Sequence, residues 1–293
     1  MPGSESVGSP GFESADSYKA FAKSKYLSVK HVKYFHVYDE LFQNYRNRDI
    51  VFVEIGVLNG GSLFMWRDYF GPGARIIGID FNPEAKKWES EGFEIFIGDQ
   101  SSPDFWQQFF SVVGEVDVIL DDGGHTNEQQ IITTHCCLEN IKKGGKLVVE
   151  DTHTSYLSEF GNPSPFSFIN YSKKLIDSLN ARFPGVRVSS NLTNRCVYSI
   201  GFYESFVAFS IDRDRCLENA PINNNGMKSN AADFRHQGTN VRGQLKVVNS
   251  MSRRFNYLKK VRLIVYLKDL VVRRWLRFVL RKRNRVAKRY FNL

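Results

Sequence analysis

Residues 51–62, V-F-V-E-I-G-V-L-N-G-G-S, decide the fold. Val51-Phe52-Val53-Glu54-Ile55 is short, β-branched and aromatic, without polar alternation, which is the pattern of a parallel strand buried on both faces. Gly56 ends the run and Asn59-Gly60-Gly61 follow. Ser62 is placed to cap a helix whose apolar positions are Leu63, Met65, Trp66 and Phe70. Strand, glycine-rich turn and helix make the first unit of a nucleotide-binding α/β sheet, and glycines there let the backbone approach a ligand closely.

The turn contains no phosphate-binding lysine, which excludes a P-loop, and Gly56, Gly60 and Gly61 do not fit the G-x-G-x-x-G spacing of dinucleotide sites. Glu54, two residues before Gly56, would repel a pyrophosphate. An acidic strand end suits a cationic ligand better, such as the amino and sulfonium groups of S-adenosylmethionine. On this stretch alone, a tight βα turn without a ligand is the plain alternative.

The chain of 293 residues, 42% hydrophobic, can hold one large domain with extensions or two small ones. No apolar run reaches the roughly 18 residues of a membrane span. The N-terminal stretch lacks both a basic start and an apolar core, so residues 1–27 are expected to be a disordered leader rather than a signal peptide. Cys136, Cys137, Cys196 and Cys216 form no C-x-x-C pair and read as reduced thiols of a cytoplasmic protein. The net charge of +9 is unevenly placed. Arg253–Leu293 holds 15 of the 40 Lys and Arg and one of the 31 acids, leaving the rest of the chain at −5. The basic character therefore belongs to a tail, and the overall charge is no argument for nucleic-acid binding.

Along the chain, residues 28–46 are predicted to be a helix, with Val32, Phe35, Tyr38, Leu41, Phe42 and Tyr45 at three-to-four spacing. The second strand, 75–80, ends on Asp80, about 20 residues after the glycine turn, where an acid can hold a ribose diol. The third, 93–97, delivers Asp99 and Gln100 toward an adenine. The fourth, 116–120, runs into Asp121-Asp122-Gly123-Gly124-His125, and the fifth, 146–149, into Glu150-Asp151. A buried strand seldom ends on two acids unless something positive lies there. Hard oxygen donors without cysteine favour magnesium, calcium or manganese, although the acids could also be helix caps or face water separately. A Gly/Pro/Ser-rich loop after Asp151 reads as a lid, with His153 and Tyr156 as acceptor-contact candidates. A helix over 167–183 and two strands, 196–202 and 205–211, follow. The expected fold is α/β: a Rossmann-like, seven-stranded, mostly parallel sheet with helices on both faces and a C-terminal antiparallel hairpin.

E-I-G-V-L-N-G-G-S, G-I-D, G-D-Q, D-D-G-G-H-T-N-E-Q-Q and V-V-E-D-T-H-T-S-Y together resemble the metal-dependent sugar O-methyltransferases of macrolide biosynthesis and the family known as cephalosporin hydroxylases. Both are class I S-adenosylmethionine-dependent methyltransferases. The resemblance covers about Lys30–Ile211, giving a methyltransferase domain over 28–211. It implies S-adenosylmethionine and Mg2+ (or another hard divalent cation) as cofactors. Metal ligands would be Asp122, Glu150 and Asp151, with His125 as general base. Cofactor contacts would come from Glu54, Gly56, Asn59, Gly60, Ser62, Asp80, Asp99, Gln100 and Asp121. The implied reaction is methylation of a hydroxyl of a sugar or glycoside, in polysaccharide or natural-product biosynthesis. A phenol- or catechol-like acceptor, or a non-catalytic cofactor-binding protein, are the rival readings. The family's large N-terminal extension is replaced by a short leader, so its oligomeric state does not transfer; a homo-oligomer stays open.

Residues 212–252 read as a polar linker and 253–293 as a basic amphipathic helical tail, with a stripe of Tyr257, Val261, Ile264, Val271, Trp275 and Val279. Aromatics beside arginines suit peripheral contact with an anionic inner membrane surface. Packing on the protein's own body or on a partner subunit is the alternative. Nucleic acid is disfavoured, because no RNA-binding module accompanies the charge.

Overall fold

The computed structural model describes residues 11–186, 192–229, 246, 250 and 262–291. The chain divides into two units, residues 1–221 and 222–293. In the first, seven strands form one sheet: β1 (Val51–Ile55), β2 (Arg75–Asp80), β3 (Glu94–Ile97), β4 (Val116–Asp121), β5 (Ile141–Val149), β6 (Val197–Tyr203) and β7 (Phe206–Ile211). Their order is β3-β2-β1-β4-β5-β7-β6, and the pairings of β7 with β5 and with β6 are the antiparallel ones. The expected fold class is the observed one.

Alternation along each strand feeds two cores. Phe52, Val118, Leu120, Val148 and Phe206 face one layer, containing α1 (Asp16–Lys23), α2 (Tyr34–Phe42) and α3 (Gly61–Phe70). Val53, Ile119, Leu147, Val149 and Phe209 face the other, with α4 (Pro103–Val113), α5 (Asn127–Cys137), α6 (Phe168–Asn180) and α7 (Leu192–Cys196). The first core is aromatic: the Trp66 ring lies 5.0 Å from Tyr38 and 5.1 Å from Phe52. Truncating a buried aromatic of this kind costs about 3–5 kcal/mol. Helix α5 starts with a full capping box between Thr126 and Gln129, which fixes where the chain leaves the D-D-G-G-H turn.

Register aligns the strand ends. Ile55 pairs with Ile79 and with Asp121, and Asp121 pairs with Val149. Gly56, Asp80, Asp122 and Glu150 are therefore the next residues in one row along the carboxyl edge, where open α/β sheets bind ligands.

Three expectations are corrected. Residues 11–27 are not a disordered leader: α1 packs on the body with Ser17 and Ala20 buried, and Asp39 accepts hydrogen bonds from the N–H groups of Asp16 and Ser17. The helix expected over 28–46 begins only at Tyr34. Residues 24–33 instead cross the glycine turn, anchored where the Ser24 hydroxyl donates to the Gly61 carbonyl at 2.7 Å. Tertiary contacts override the helical spacing there. Ser62 does not cap α3, because its hydroxyl donates to Glu54; Gly60, at φ 75°, is the N-cap.

Of the linker expected over 212–252, residues 217–229 carry no helix or strand and the first residues form a short 3-10 turn, Arg213–Arg215; most of the rest lies outside the described residues. In the second unit, α8 (Arg262–Val279) and α9 (Arg281–Phe291) expose Tyr266, Val271, Phe278 and Tyr290. Tyr257 and Val261 lie outside the described residues. Among those described, no helix is long and apolar enough to cross a membrane.

Candidate active site

The row at the carboxyl edge gathers most of the residues singled out from the sequence. Glu54 is 0% exposed, and its oxygens accept from Ser62 Oγ at 2.8 Å and Trp66 Nε1 at 2.9 Å. It stands behind the glycine turn, held there by its bond to Ser62. Burial raises its carboxyl to about 7. The glycines are needed, but for the chain's own approach. A Cβ on Gly56 (φ 90°) would overlap the Asp122 carbonyl, and one on Gly61 the carbonyls of Tyr26 and Leu27.

Asp80 accepts from the N–H groups of Val57 (2.8 Å) and Leu58 (3.1 Å), bracing the turn that carries Asn59 and Gly60. Asp99 accepts from Ser101 N at 2.8 Å, and Ser101 lies just before the N-cap of α4, Ser102. Gln100 is buried: its amide donates to Asp121 at 2.9 Å and accepts from Gly124 N at 3.0 Å. Burial lifts the Asp121 carboxyl to about 6. Gln100 and Asp121 thus lock the D-D-G-G-H turn from below.

Asp122, His125 and Asp151 converge. One donor atom of each lies within 4.8 Å of the others, and His125 Nε2 is 3.5 Å from Asp151 Oδ2. A second group, His31, Asp151 and His153, meets the same distance criterion. His153 and Tyr156 line a cavity of about 900 Å³ together with Lys30, His31, Tyr34 and Phe202. Tyr156 is 66% exposed, an aromatic surface beside the acid row.

Glu150 joins neither group. It is 1% exposed; Oε1 accepts from Lys30 Nζ at 3.1 Å and Oε2 from Tyr38 OH at 2.7 Å. Lys30 also bonds Asp122, and Tyr34 bonds Asp151. These three donors come from residues 30–38, within the stretch whose apolar spacing predicts a helix, and nothing in that spacing marks Lys30 or Tyr34 as partners of the strand-end acids. Only a charge balance over the strand ends pointed to a cation, and it was assigned to a metal.

Burial alone would push the Lys30 ammonium toward neutrality, but Asp122, Glu150 and Glu54 outweigh it and hold it above its ordinary value. Burial, with Asp122 beside it, drives the Glu150 carboxyl well above the usual range despite Lys30. The facing carboxylates of Asp122 and Asp151 fit a hard divalent ion at that point, with the buried His125 Nδ1, which has no partner in the structure, beside them.

The strand order and the terminal hairpin define a Rossmann-like methyltransferase fold. Residues 53–152 match the family model described as a methyltransferase domain. Demethylmacrocin O-methyltransferase of Streptomyces fradiae is 32% identical over 154 residues, covering 48% of this chain and 38% of the relative. Mycinamicin VI 2''-O-methyltransferase of Micromonospora griseorubida is 30% identical over 188 residues, covering 57% and 46%. The solved MycE methyltransferase from the mycinamycin biosynthetic pathway, in complex with Mg, SAH and mycinamycin VI, superposes with a TM-score of 0.60 at 25% identity, over 71% of this chain and 55% of that one. The chain thus spans less than half the length of these curated relatives.

Proposed function

We propose that the chain is an S-adenosylmethionine-dependent, divalent-cation-dependent O-methyltransferase acting on a hydroxyl of a sugar or glycoside. The observation that carries this is the meeting of Asp122, His125 and Asp151 at adjoining strand ends, beside the glycine turn and an aromatic-lined cavity. The relatives' names, and the magnesium and SAH in the MycE complex, support it.

S-adenosylmethionine supplies the electrophilic methyl group, and a bound cation the Lewis acidity that makes an acceptor hydroxyl easier to ionise. Asp122 and Asp151 would hold the cation. Asp80 would take the ribose, with Asp99 toward the adenine and Gly56, Asn59 and Gly60 toward the methionine end. His125 would remove the hydroxyl proton at Nε2, a task suited to imidazole near neutral pH, with Asp151 placed 3.5 Å away to stabilise the imidazolium. Tyr156, His153 and Phe202 would orient the glycoside in the cavity, and positioning supplies much of the rate.

Calorimetric titration with S-adenosylhomocysteine, with and without MgCl2, tests the cofactors. Labelled methyl transfer to a glycoside panel, with and without EDTA, tests the reaction. Cofactor binding with transfer only to phenols would replace the acceptor class, and no binding would remove the methyltransferase reading.

The basic tail of the second unit carries the additional proposal of peripheral contact with an anionic membrane surface. Exposed aromatics on helices that also expose Arg273, Arg274 and Arg277 support it.

A further inference from the structure

The gap between Asp122 and Glu150 is already filled by a cation. Lys30 Nζ, on a side chain only 3% exposed, bonds Asp122 Oδ2 and lies 3.1 Å from Glu150 Oε1. The segment that carries it is fastened on both sides of the site. Ser24 holds the Gly61 carbonyl on one side, while Tyr34 and Tyr38 bond Asp151 and Glu150 on the other. Lys30 is therefore a fixture of the acid row rather than a surface side chain folded inward.

An ammonium and a divalent ion make different demands on the same oxygens. The ammonium holds the two carboxylates by hydrogen bonds, standing 3.1 Å from Glu150 Oε1, whereas magnesium requires its oxygens at about 2.0–2.1 Å in near-octahedral geometry. The oxygens that Asp122 and Glu150 give to Lys30 cannot close on an ion in the same gap. Glu150 accordingly stands outside the group formed by Asp122, His125 and Asp151.

From this arrangement we infer that Lys30 is a tethered cation that competes with the divalent ion for Asp122 and Glu150, and so weakens ion binding at the site. The inference rests on the reading that the site takes a divalent cation. Lys30 is a positioning residue in this account: it sets which carboxylates face the ion and touches neither the hydroxyl nor the methyl group. Removing it leaves the row more negative by one charge and frees Glu150 as a third carboxylate ligand.

The test is calorimetric titration of the full chain with MgCl2, together with electron paramagnetic resonance of free Mn2+ during a MnCl2 titration. Both report binding without any turnover. Lys30→Met is expected to bind either ion at least about tenfold more tightly than the parent chain, the scale of removing one unit charge at contact distance in a partly screened site. Lys30→Arg, which keeps the charge, is expected to stay near the parent. The double variant Lys30→Met/Glu150→Gln removes the ammonium and the freed ligand together, so its affinity is expected to return toward the parent value. It also avoids an unpaired buried Glu150 should Lys30→Met fold poorly.

Unchanged or weaker binding by Lys30→Met overturns the inference and leaves the cation reading intact. A double variant that stays as tight as Lys30→Met overturns it as well, because Glu150 would then not be the released ligand. Absence of binding by the parent and every variant removes both the inference and the cation reading.

Discussion

His125 and Asp151 face each other across the ends of β4 and β5, with Nε2 3.5 Å from Oδ2, and each sits in the left-handed backbone region, at φ 58° and φ 56°. Two non-glycine residues held there each carry of order 1–3 kcal/mol of local strain. The strain aims both side chains at one point. His125→Ala is expected to lower methyl transfer by about 10²–10⁴-fold, the usual worth of a positioned base, while S-adenosylhomocysteine binding stays within a few-fold. Single-turnover transfer of a labelled methyl group beside calorimetry separates the two, and unaltered transfer would deny His125 its role.

Glu54 makes stability depend on pH. Its folded pKa, near 7, lies above its ordinary 4.5 because burial disfavours the charge. Between these values the folded state holds a proton that the unfolded state has lost, so stability falls as pH rises from about 4.5 to 7. The shift corresponds to about 3 kcal/mol as an order of magnitude. Glu54→Gln should flatten this part of the curve and unfold at higher denaturant than the parent at pH 7.5. Urea melts of both proteins at pH 5 and 7.5 check it; parallel curves would show that Glu54 is not the group responsible.

At Gly56 a methyl group has nowhere to go. The backbone is at φ 90°, and the added carbon would overlap the Asp122 carbonyl. Gly56→Ala is expected to cost about 2–4 kcal/mol, combining backbone strain with overpacking. Because the displaced atom belongs to Asp122, cation affinity should fall in the same variant. A calorimetric melt with a MnCl2 titration reads both, and a melt within 1 °C of the parent would contradict the geometry.

For the second unit, the full chain is expected to sediment with phosphatidylserine vesicles at low salt and to be released as salt rises, since each basic residue near such a surface contributes about 1 kcal/mol. Changing Arg273, Arg274 and Arg277 to glutamate should abolish sedimentation. Retention by neutral vesicles alone would point to apolar contact instead.

The sheet was readable because each parallel strand is a compact apolar run that stops at a glycine or an acid, and those stops are the residues that the register aligns. Asp122, His125 and Asp151 stood out for the same reason. Lys30 did not, since nothing local distinguishes it from Lys33 three residues on, which pairs with Glu204 at the surface. Ser62 and Glu54 were each recognised, but not their bond to one another, which takes the Ser62 hydroxyl away from the helix end it was expected to cap. The ordering of α1 was hidden by its polar sequence. Its anchor is Asp39, which offers its carboxylate from another helix.

The distance along the chain between Lys30 and its partners bears on how the protein is made. Lys30 leaves the ribosome 92 residues before Asp122 and 120 before Glu150. Until β4 and β5 are in place, the acids at their ends have no ammonium and the early segment has no anchor. Contacts this far apart in sequence form late, after much loop entropy has been spent. Closure of residues 24–38 over the acid row therefore carries a large loop-closure cost, and until it is made the acids at the strand ends stand without their ammonium.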